Sequence, residues 1–338
     1  MIEIKNILII FIIIFHISIL KVKSAFKESN NWGARPSGMA GAFISISDDA
    51  TGIAYNPAGI SQITKKEIMY MYSKPYVGLE EVNLRYGFLS LICPFKKIGV
   101  FGLAWKNFNV SDLYQENSVI FSYGYKINKY LPEKIKQEIL TGINLKYLYH
   151  SYELDIRTKD DPVFLNGSSK GNISIDIGVV ISKITHKLPD LKLGIVVKNI
   201  NQPNLGLSSN DPVYREFGIG ISCHLERFLW MRYTTETVKS GKFKYDKDKV
   251  NRFIESFILS SDIIYRNKEI NFKFGLELSL WGKLLNIRTG VSLQEFCLGL
   301  GMRLPLKIYK IYFDYGFSFP FYLHGTNGTH KISFSVRF

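Results

Sequence analysis

A period of two runs through most of this chain and restricts its possible folds more than any other feature. In the segment NISIDIGVVIS (172–182), Ile173, Ile175 and Ile177 are apolar, whereas Ser174 and Asp176 between them are polar. Successive side chains of a β-strand point to opposite sides, so such a segment has one apolar and one polar face. Because the alternation recurs from about residue 65 to the C-terminus, it predicts an all-β protein.

The apolar faces decide between a soluble sandwich and a membrane barrel. A sandwich can show the same alternation, but it would have to bury an apolar face from nearly every strand in one core, which is difficult for a chain of 338 residues. In a transmembrane barrel these faces contact lipid instead. Tyrosines at the ends of the segments also fit the aromatic girdle of such a barrel. They are Tyr70, Tyr72, Tyr76, Tyr123, Tyr125, Tyr147, Tyr149 and Tyr152.

Fifteen alternating segments can be counted, although bacterial single-chain barrels normally have an even number of strands. The segment at 227–238 is the least regular and precedes the charged stretch KSGKFKYDKDK, so we interpret 227–254 as a loop insertion. The sequence therefore predicts a transmembrane antiparallel β-barrel of about 14 strands over residues 63–338. The segments are 65–73, 82–93, 97–107, 117–127, 138–152, 172–183, 191–200, 214–224, 227–238, 253–266, 269–281, 284–293, 295–304, 307–319 and 329–338.

The first 24 residues have the pattern of an export signal. Lys5 precedes an apolar run from Ile7 to Leu20, and small residues precede a cleavage site ahead of Ala25. The run is shorter than the roughly 20 residues that span a bilayer as a helix, although an uncleaved membrane anchor is the alternative. We therefore expect residues 1–24 to be a signal peptide, and the mature chain to reach the outer membrane of a Gram-negative bacterium.

Composition argues against several other functions. The net charge is +14, but the basic residues are dispersed and form no run that would follow a phosphate backbone, so we expect no nucleic-acid partner. Cys93, Cys223 and Cys297 are too few and too far apart for a disulfide framework or a zinc site. No nucleophile elbow, zinc-protease motif or phosphate-binding loop is present. We therefore expect no enzyme activity, no metal site and no cofactor.

A turn-rich stretch, SDDATGIAYNPAG (47–59), precedes the first alternating segment. Asp48 or Asp49 can cap a short helix by accepting its free N–H groups, and Asn56-Pro57 with Gly59 can end it. The chemistry of these residues predicts a compact piece of folded backbone without strands.

Four stretches resemble the FadL-type outer-membrane barrels and, more closely, their PorV/PorQ-like relatives. The most specific is GARPSGMAGAFISISDDATGIAYNPAG (33–59); the others are LGIVVKNINQPNLG (193–206), FGLELSLWGKLLNIRTGVSL (274–293) and THKISFSVRF (329–338). The resemblance covers nearly the whole mature chain. It implies that residues 25–62 form a hatch inside the barrel lumen. The gate or ligand floor would then consist of Gly33, Gly38, Gly41, Asp48, Asp49, Asn56, Pro57, Ala58 and Gly59.

A hatch agrees with elementary physics, because a wide barrel has a water-filled lumen unless something fills it. Close packing against the wall favours glycine on the lumen side of the strands, although strand curvature also uses glycine. Asp48 and Asp49 are expected to act as caps rather than as ligand contacts. The lumen-side glycines are Gly178, Gly194, Gly218, Gly220, Gly275 and Gly316.

Two functions are compatible with this resemblance. The first is transport of hydrophobic small molecules or lipids across the outer membrane, with the hatch as gate. The second is a PorV-like interaction protein that receives exported surface proteins for a secretion and attachment system. In the second case the docking surface would consist of the predicted long loops Asp155–Gly171, Asn201–Val213 and Lys239–Val250.

The C-terminal SFSVRF is similar to the terminal-strand signal that the barrel assembly machinery recognises. The last strand must close on the first, so its edge and the terminal ring of Phe338 are free for pairing before closure. We therefore expect the assembly machinery and outer-membrane lipid as partners, and Phe338 as the assembly signal.

Overall fold

The computed structural model describes residues 26, 31–79, 83–111, 113–132, 135–156, 158–184, 190–225 and 254–338. These residues form fourteen antiparallel strands in one closed barrel, in which each strand pairs with its sequence neighbours and the last pairs with the first. The predicted fold class and strand number are confirmed. The strands are β1 Glu67–Lys74, β2 Leu84–Phe95, β3 Gly99–Val110, β4 Tyr114–Lys126, β5 Glu138–Tyr152, β6 Ser169–Ser182, β7 Leu191–Lys198, β8 Glu216–His224, β9 Ile254–Arg266, β10 Glu269–Leu280, β11 Leu285–Ser292, β12 Glu295–Pro305, β13 Lys310–Pro320 and β14 Thr329–Arg337.

The structure does not describe every segment predicted from the sequence. The signal at 1–24, the alternating segment at 227–238 and the loop Lys239–Val250 lie outside the described residues. Among the residues that are described, no helix has both the length and the apolar character needed to cross a membrane.

Barrel closure brings the two ends of the sheet together. The ladder between β1 and β14 pairs Glu67 with Arg337 at one end and Lys74 with His330 at the other. An even strand number places the start of β1 and the end of β14 on one rim, which we call the terminal rim; the other is the opposite rim. Phe338 follows β14 at the terminal rim, and its N–H donates to the Lys66 carbonyl at 2.9 Å.

The two faces of the wall differ as the alternation predicts. On β6, Ile173 and Ile177 are exposed outside the barrel, whereas Ser174 and Asp176 are buried inside it. The same holds on the other strands, where exposed Ile, Leu, Phe and Tyr alternate with buried Ser, Gly and charged residues. An apolar outer surface of this extent is typical of a barrel that contacts lipid.

One part of the wall is closed by a loop instead of a strand. β6 begins at Ser169, but its ladder with β7 starts only at Ile177. The connection 199–213 covers the free edge: the Ile200 N–H donates to the Ile175 carbonyl (2.9 Å), and the Asn201 amide donates to the Ile173 carbonyl (2.7 Å). A side-chain amide therefore supplies hydrogen bonds that a longer β7 would have made, and these backbone groups stay paired.

Candidate gate and lumen cavity

Residues 31–63, which we call the plug, fill the middle of the barrel. They contain helices at Ala34–Ser37 and Gly52–Tyr55 and a 3-10 helix at Pro57–Gln62. Each α-helix is only four residues long and has no side-chain cap. Such short helices are unstable alone, so packing inside the lumen must hold them.

The plug approaches the wall most closely where the strands carry glycine. A Cβ on Gly194 would lie 2.6 Å from the Ile44 carbonyl oxygen, and one on Gly275 would lie 2.7 Å from Met39 Cβ. Close approach therefore requires glycine at these positions, beyond any contribution to strand curvature. All six lumen-side glycines named from the sequence face the plug: Gly178 faces Asn56, Gly194, Gly218 and Gly220 face Ile44, Gly275 faces Met39, and Gly316 faces Ala34.

The glycines predicted within the plug have different functions. Gly33 and Gly41 have φ angles of +94° and +74°, a conformation that other residues rarely adopt. Gly38 approaches the wall, since a Cβ there would lie 2.8 Å from the Cα of Gly299. Gly59 instead packs within the plug against Ser47.

Asn56 connects the plug to the wall. Its side-chain oxygen accepts the Ala58 N–H (3.1 Å), so it caps the 3-10 helix that begins at Pro57. Its amide donates to the Ile44 carbonyl (3.1 Å) and to the Val179 carbonyl of β6 (3.2 Å). Because Asn56, Pro57 and Ala58 are all buried, this corner is a fixed junction between plug and wall.

The expectation that Asp48 and Asp49 cap the following helix is wrong in its detail. The N-cap of that helix is Thr51, which makes no side-chain cap bond. Asp49 accepts the N–H of Thr51 at 2.9 Å, outside the helix. Both carboxylates instead pair with Arg35, whose Nη1 lies 2.6 Å from Asp48 and 2.8 Å from Asp49.

Arg35 also binds the wall, and it thereby connects the plug acids to a chain of charges on β10, β11 and β13. Its Nε and Nη2 donate to the two carboxylate oxygens of Glu277 at 2.9 and 3.0 Å. Glu277 also accepts from Arg288 (2.5 Å), which in turn binds Asp314 (2.7 Å). A bidentate arginine–carboxylate pair fixes both distance and orientation, so Arg35 sets the position of the plug against these strands.

The charges in this cluster stabilise one another. Burial opposes ionisation of Arg35, but Asp48, Glu277 and Asp49 outweigh it and raise the pKa of the guanidinium. Burial would likewise raise the pKa of Asp48, but Arg35 and Lys192 hold it below its usual value. Because the folded-state pKa of Asp48 is lowered, its contribution to stability is present at neutral pH and is lost only in acid.

A cavity of about 70 Å³ lies between the plug and the opposite rim. Trp32 and Ile53 of the plug meet Phe108, Ile120 and Leu148 of the wall there. These five side chains supply an apolar floor and wall that a hydrophobic ligand could contact.

Most charges that line this cavity neutralise one another. Lys146 binds Asp176 at 2.5 Å, and Lys198 binds Glu216 at 3.0 Å. Lys106 differs, because it makes no ion pair with any described residue and its ammonium lies 5.1 Å from the ring centre of Trp32. Its ammonium is therefore a polar group that a ligand in this cavity could contact.

On the terminal side of the plug lies a second cavity, of about 190 Å³, lined by the Arg35 cluster together with Glu67, Arg303 and Arg337. The plug therefore separates a partly apolar cavity from a charged one. No group of three or more His, Cys, Asp or Glu side chains suited to a metal ion occurs in the described part of the chain.

Sequence reasoning missed the residues that hold the plug. Arg35 is the only charged residue between positions 31 and 47, and that isolation was a usable signal. Asp262 also escaped notice, although it accepts the N–H groups of Phe43 (2.7 Å) and Ile44 (2.9 Å). Its signal was an acid within the run FILSSDII (257–264), whose other residues are all uncharged.

Solved channels and transporters share this fold. No protein-family model and no curated protein matches the chain. The toluene transporter TbuX of Ralstonia pickettii superposes with a TM-score of 0.52 at 10% identity, over 91% of this chain and 97% of that one. The monoaromatic hydrocarbon channel CymD gives 0.51 at 12%, over 90% and 96%. The toluene transporter TodX of Pseudomonas putida gives 0.50 at 10%, over 93% and 99%. At these identities the likeness establishes the fold alone.

We expect the replacement of Arg35 by Met to loosen the plug and lower the free energy of unfolding by about 3 kcal/mol, because removing one partner leaves buried acids uncompensated. Lys183→Met is the matched control, since its pair with Glu138 involves a lysine that is 61% exposed; it should cost less than about 1 kcal/mol. Urea unfolding of the purified protein measures both. Equal losses would contradict the role of Arg35 in holding the plug against the wall.

Proposed function

We propose that this chain is an outer-membrane channel for hydrophobic small molecules, and that the plug is its gate. The observation that carries the proposal is the cavity that Trp32 and Ile53 of the plug form with apolar residues of the wall. The shared fold supports it, because CymD, TbuX and TodX are named as hydrocarbon channels or toluene transporters.

Cavity size supports a gate that has to move. An apolar cavity that binds benzene in another protein measures about 150 Å³, whereas this one measures about 70 Å³. An aromatic ring therefore cannot enter until the plug or its neighbours shift. Since the plug also separates this cavity from the terminal one, the same shift would open the path.

The cavity suits a ligand that has an apolar body and a polar group. Lys146 and Lys198 are paired with acids, and Lys106 lies beside the apolar floor as a polar anchor, in a lining that also includes Ser118 and Asn199. A hydrophobic molecule with one acceptor group would use both.

No contact among the described residues favours the PorV-like alternative, which stays a prediction. The connection 199–213 is not a free docking loop, because Leu205 and Val213 turn inward and are buried against Leu148. The third predicted loop, Lys239–Val250, lies outside the described residues.

Uptake of labelled toluene tests the channel proposal. The assay uses cells whose outer leaflet is lipopolysaccharide, because phospholipid bilayers pass toluene unaided. The chain should raise uptake above that of cells without it, and deletion of residues 33–59 should raise leakage of an unrelated polar dye. Asn56→Ala should raise dye leakage less than the deletion does, because a lost cap costs only about 1 kcal/mol.

Asn56→Asp is the informative control. It keeps the acceptor for Ala58 but removes the amide that donates to Ile44 and Val179. If the junction with the wall keeps the gate shut, the Asp variant leaks at least as much as the Ala variant. Toluene uptake equal to that of cells without the chain would contradict the channel.

Phe338 is proposed as the signal for the barrel assembly machinery. Phe338 is 42% exposed, and its ring meets that of Tyr309 edge-on with the ring centres 6.4 Å apart, so its removal should have little effect on packing. Phe338→Asp should therefore lower the amount of assembled barrel in cells, measured by heat-modifiability on gels, without lowering the stability of purified protein. Normal assembly of this variant would leave the signal without support.

A further inference from the structure

The two rims of the barrel carry different charge. Among the described residues, eight lysines are exposed at the terminal rim, against one exposed acid, Asp190. The opposite rim is balanced, with the exposed lysines Lys74, Lys159, Lys170 and Lys268 against the exposed acids Glu153, Asp155, Asp160 and Asp161. The terminal-rim lysines are Lys65, Lys66, Lys96, Lys97, Lys126, Lys136, Lys183 and Lys307.

Most of these lysines have no counter-ion among the described residues. Lys126 and Lys183 share Glu138 at 2.9 and 2.6 Å, and the other six make no ion pair with a described residue. Two of the eight precede β1, and the others lie at the end of β4 or in the connections β2–β3, β4–β5, β6–β7 and β12–β13. In barrel order these elements are neighbours, so the charges form one continuous arc.

Exposed apolar side chains alternate with the lysines along this arc. Lys96 and Lys97 lie between Phe95, 49% exposed, and Ile98, 58% exposed. Lys307 lies between Leu306 and Ile308, which are 55% and 68% exposed. A turn that faces only water has no reason to expose such residues, whereas a lysine with apolar neighbours suits the boundary between acyl chains and head groups.

We propose that this arc binds the head groups of anionic phospholipids in the leaflet that surrounds the terminal rim. The lysines supply the charge complementarity, since each basic residue near an anionic membrane surface adds to the attraction. The apolar turn residues enter the acyl boundary beside them and fix the height of the barrel in the bilayer. The proposal rests on the membrane location in the proposed function but not on the transported ligand.

Lipid binding to two charge-matched variants tests it. The first is Lys96→Gln, Lys97→Gln, Lys136→Gln and Lys307→Gln; the control is Lys74→Gln, Lys159→Gln, Lys170→Gln and Lys268→Gln at the opposite rim. Each full-length protein is purified in neutral detergent with equal amounts of phosphatidylglycerol and phosphatidylcholine, and the retained lipids are counted by native mass spectrometry. We expect the wild type and the control to retain phosphatidylglycerol preferentially, in a salt-dependent manner. In the terminal-rim variant, the ratio of retained phosphatidylglycerol to phosphatidylcholine should fall at least about fivefold.

Two outcomes would contradict lipid binding by the arc: no preference for phosphatidylglycerol in the wild type, or equal loss of the preference in both variants.

Toluene uptake by the same variants separates the lipid proposal from the channel proposal. None of the eight positions lines the lumen cavity, so uptake should be unchanged. Uptake that is absent while the lipid preference persists would contradict the channel alone, and normal uptake without lipid preference would contradict the arc alone.

Discussion

A closed barrel of fourteen strands is too wide for its own side chains to fill, because an interior filled by side chains is reached at about eight strands. Everything in the lumen of this protein follows from that width. The wall exposes apolar residues outward and small or charged residues inward, and the plug occupies the space that remains. Plug residues from 31 to 60 are almost all buried although their α-helices are only four residues long, so the wall gives this segment its structure.

Two kinds of contact hold the plug, and they differ in what they allow. Contacts at glycine, such as Gly194 with Ile44, are close and nonpolar and set the shape of the interface. The pair between Arg35 and Glu277 is directional, and it gains little net stability because both charges lose water. Removing one partner nevertheless leaves a buried charge uncompensated, so the Arg35–Glu277 pair acts as a latch. The plug has one favourable position, and it can leave that position only if both hydrogen bonds of the pair break together. The proposed gate would need this property to stay closed in the absence of a ligand.

The sequence predicts the wall far better than the contents of the lumen. Alternation is a local signal, so it predicts the strands and their faces directly, and buried acids such as Asp176 and Glu277 lie on the polar faces that it marks. Their partners could not be read: Lys146 lies on another strand, and Arg35 lies 242 positions away from Glu277. Asp48 and Asp49 were interpreted by a local rule, helix capping, whereas in the structure both carboxylates pair with Arg35, which lies more than ten positions earlier in the chain. Asn56 was identified as a turn residue, but its bond to β6 required the closed barrel.

The central claim is that the plug closes the lumen and has to shift before a hydrophobic molecule can pass. Ile44 of the plug and Val196 of β7 pack together in one buried cluster, so cysteines at these two positions, in a chain whose Cys93, Cys223 and Cys297 are replaced by Ser, can be bridged by oxidation or by a short bis-methanethiosulfonate reagent, which links two thiols through reducible disulfides. The test compares toluene uptake by cells that carry the bridged protein with uptake by the same cells after reduction of the bridge. The account predicts that the bridge abolishes uptake and that reduction restores it. Uptake at the same rate in both states would contradict a moving gate.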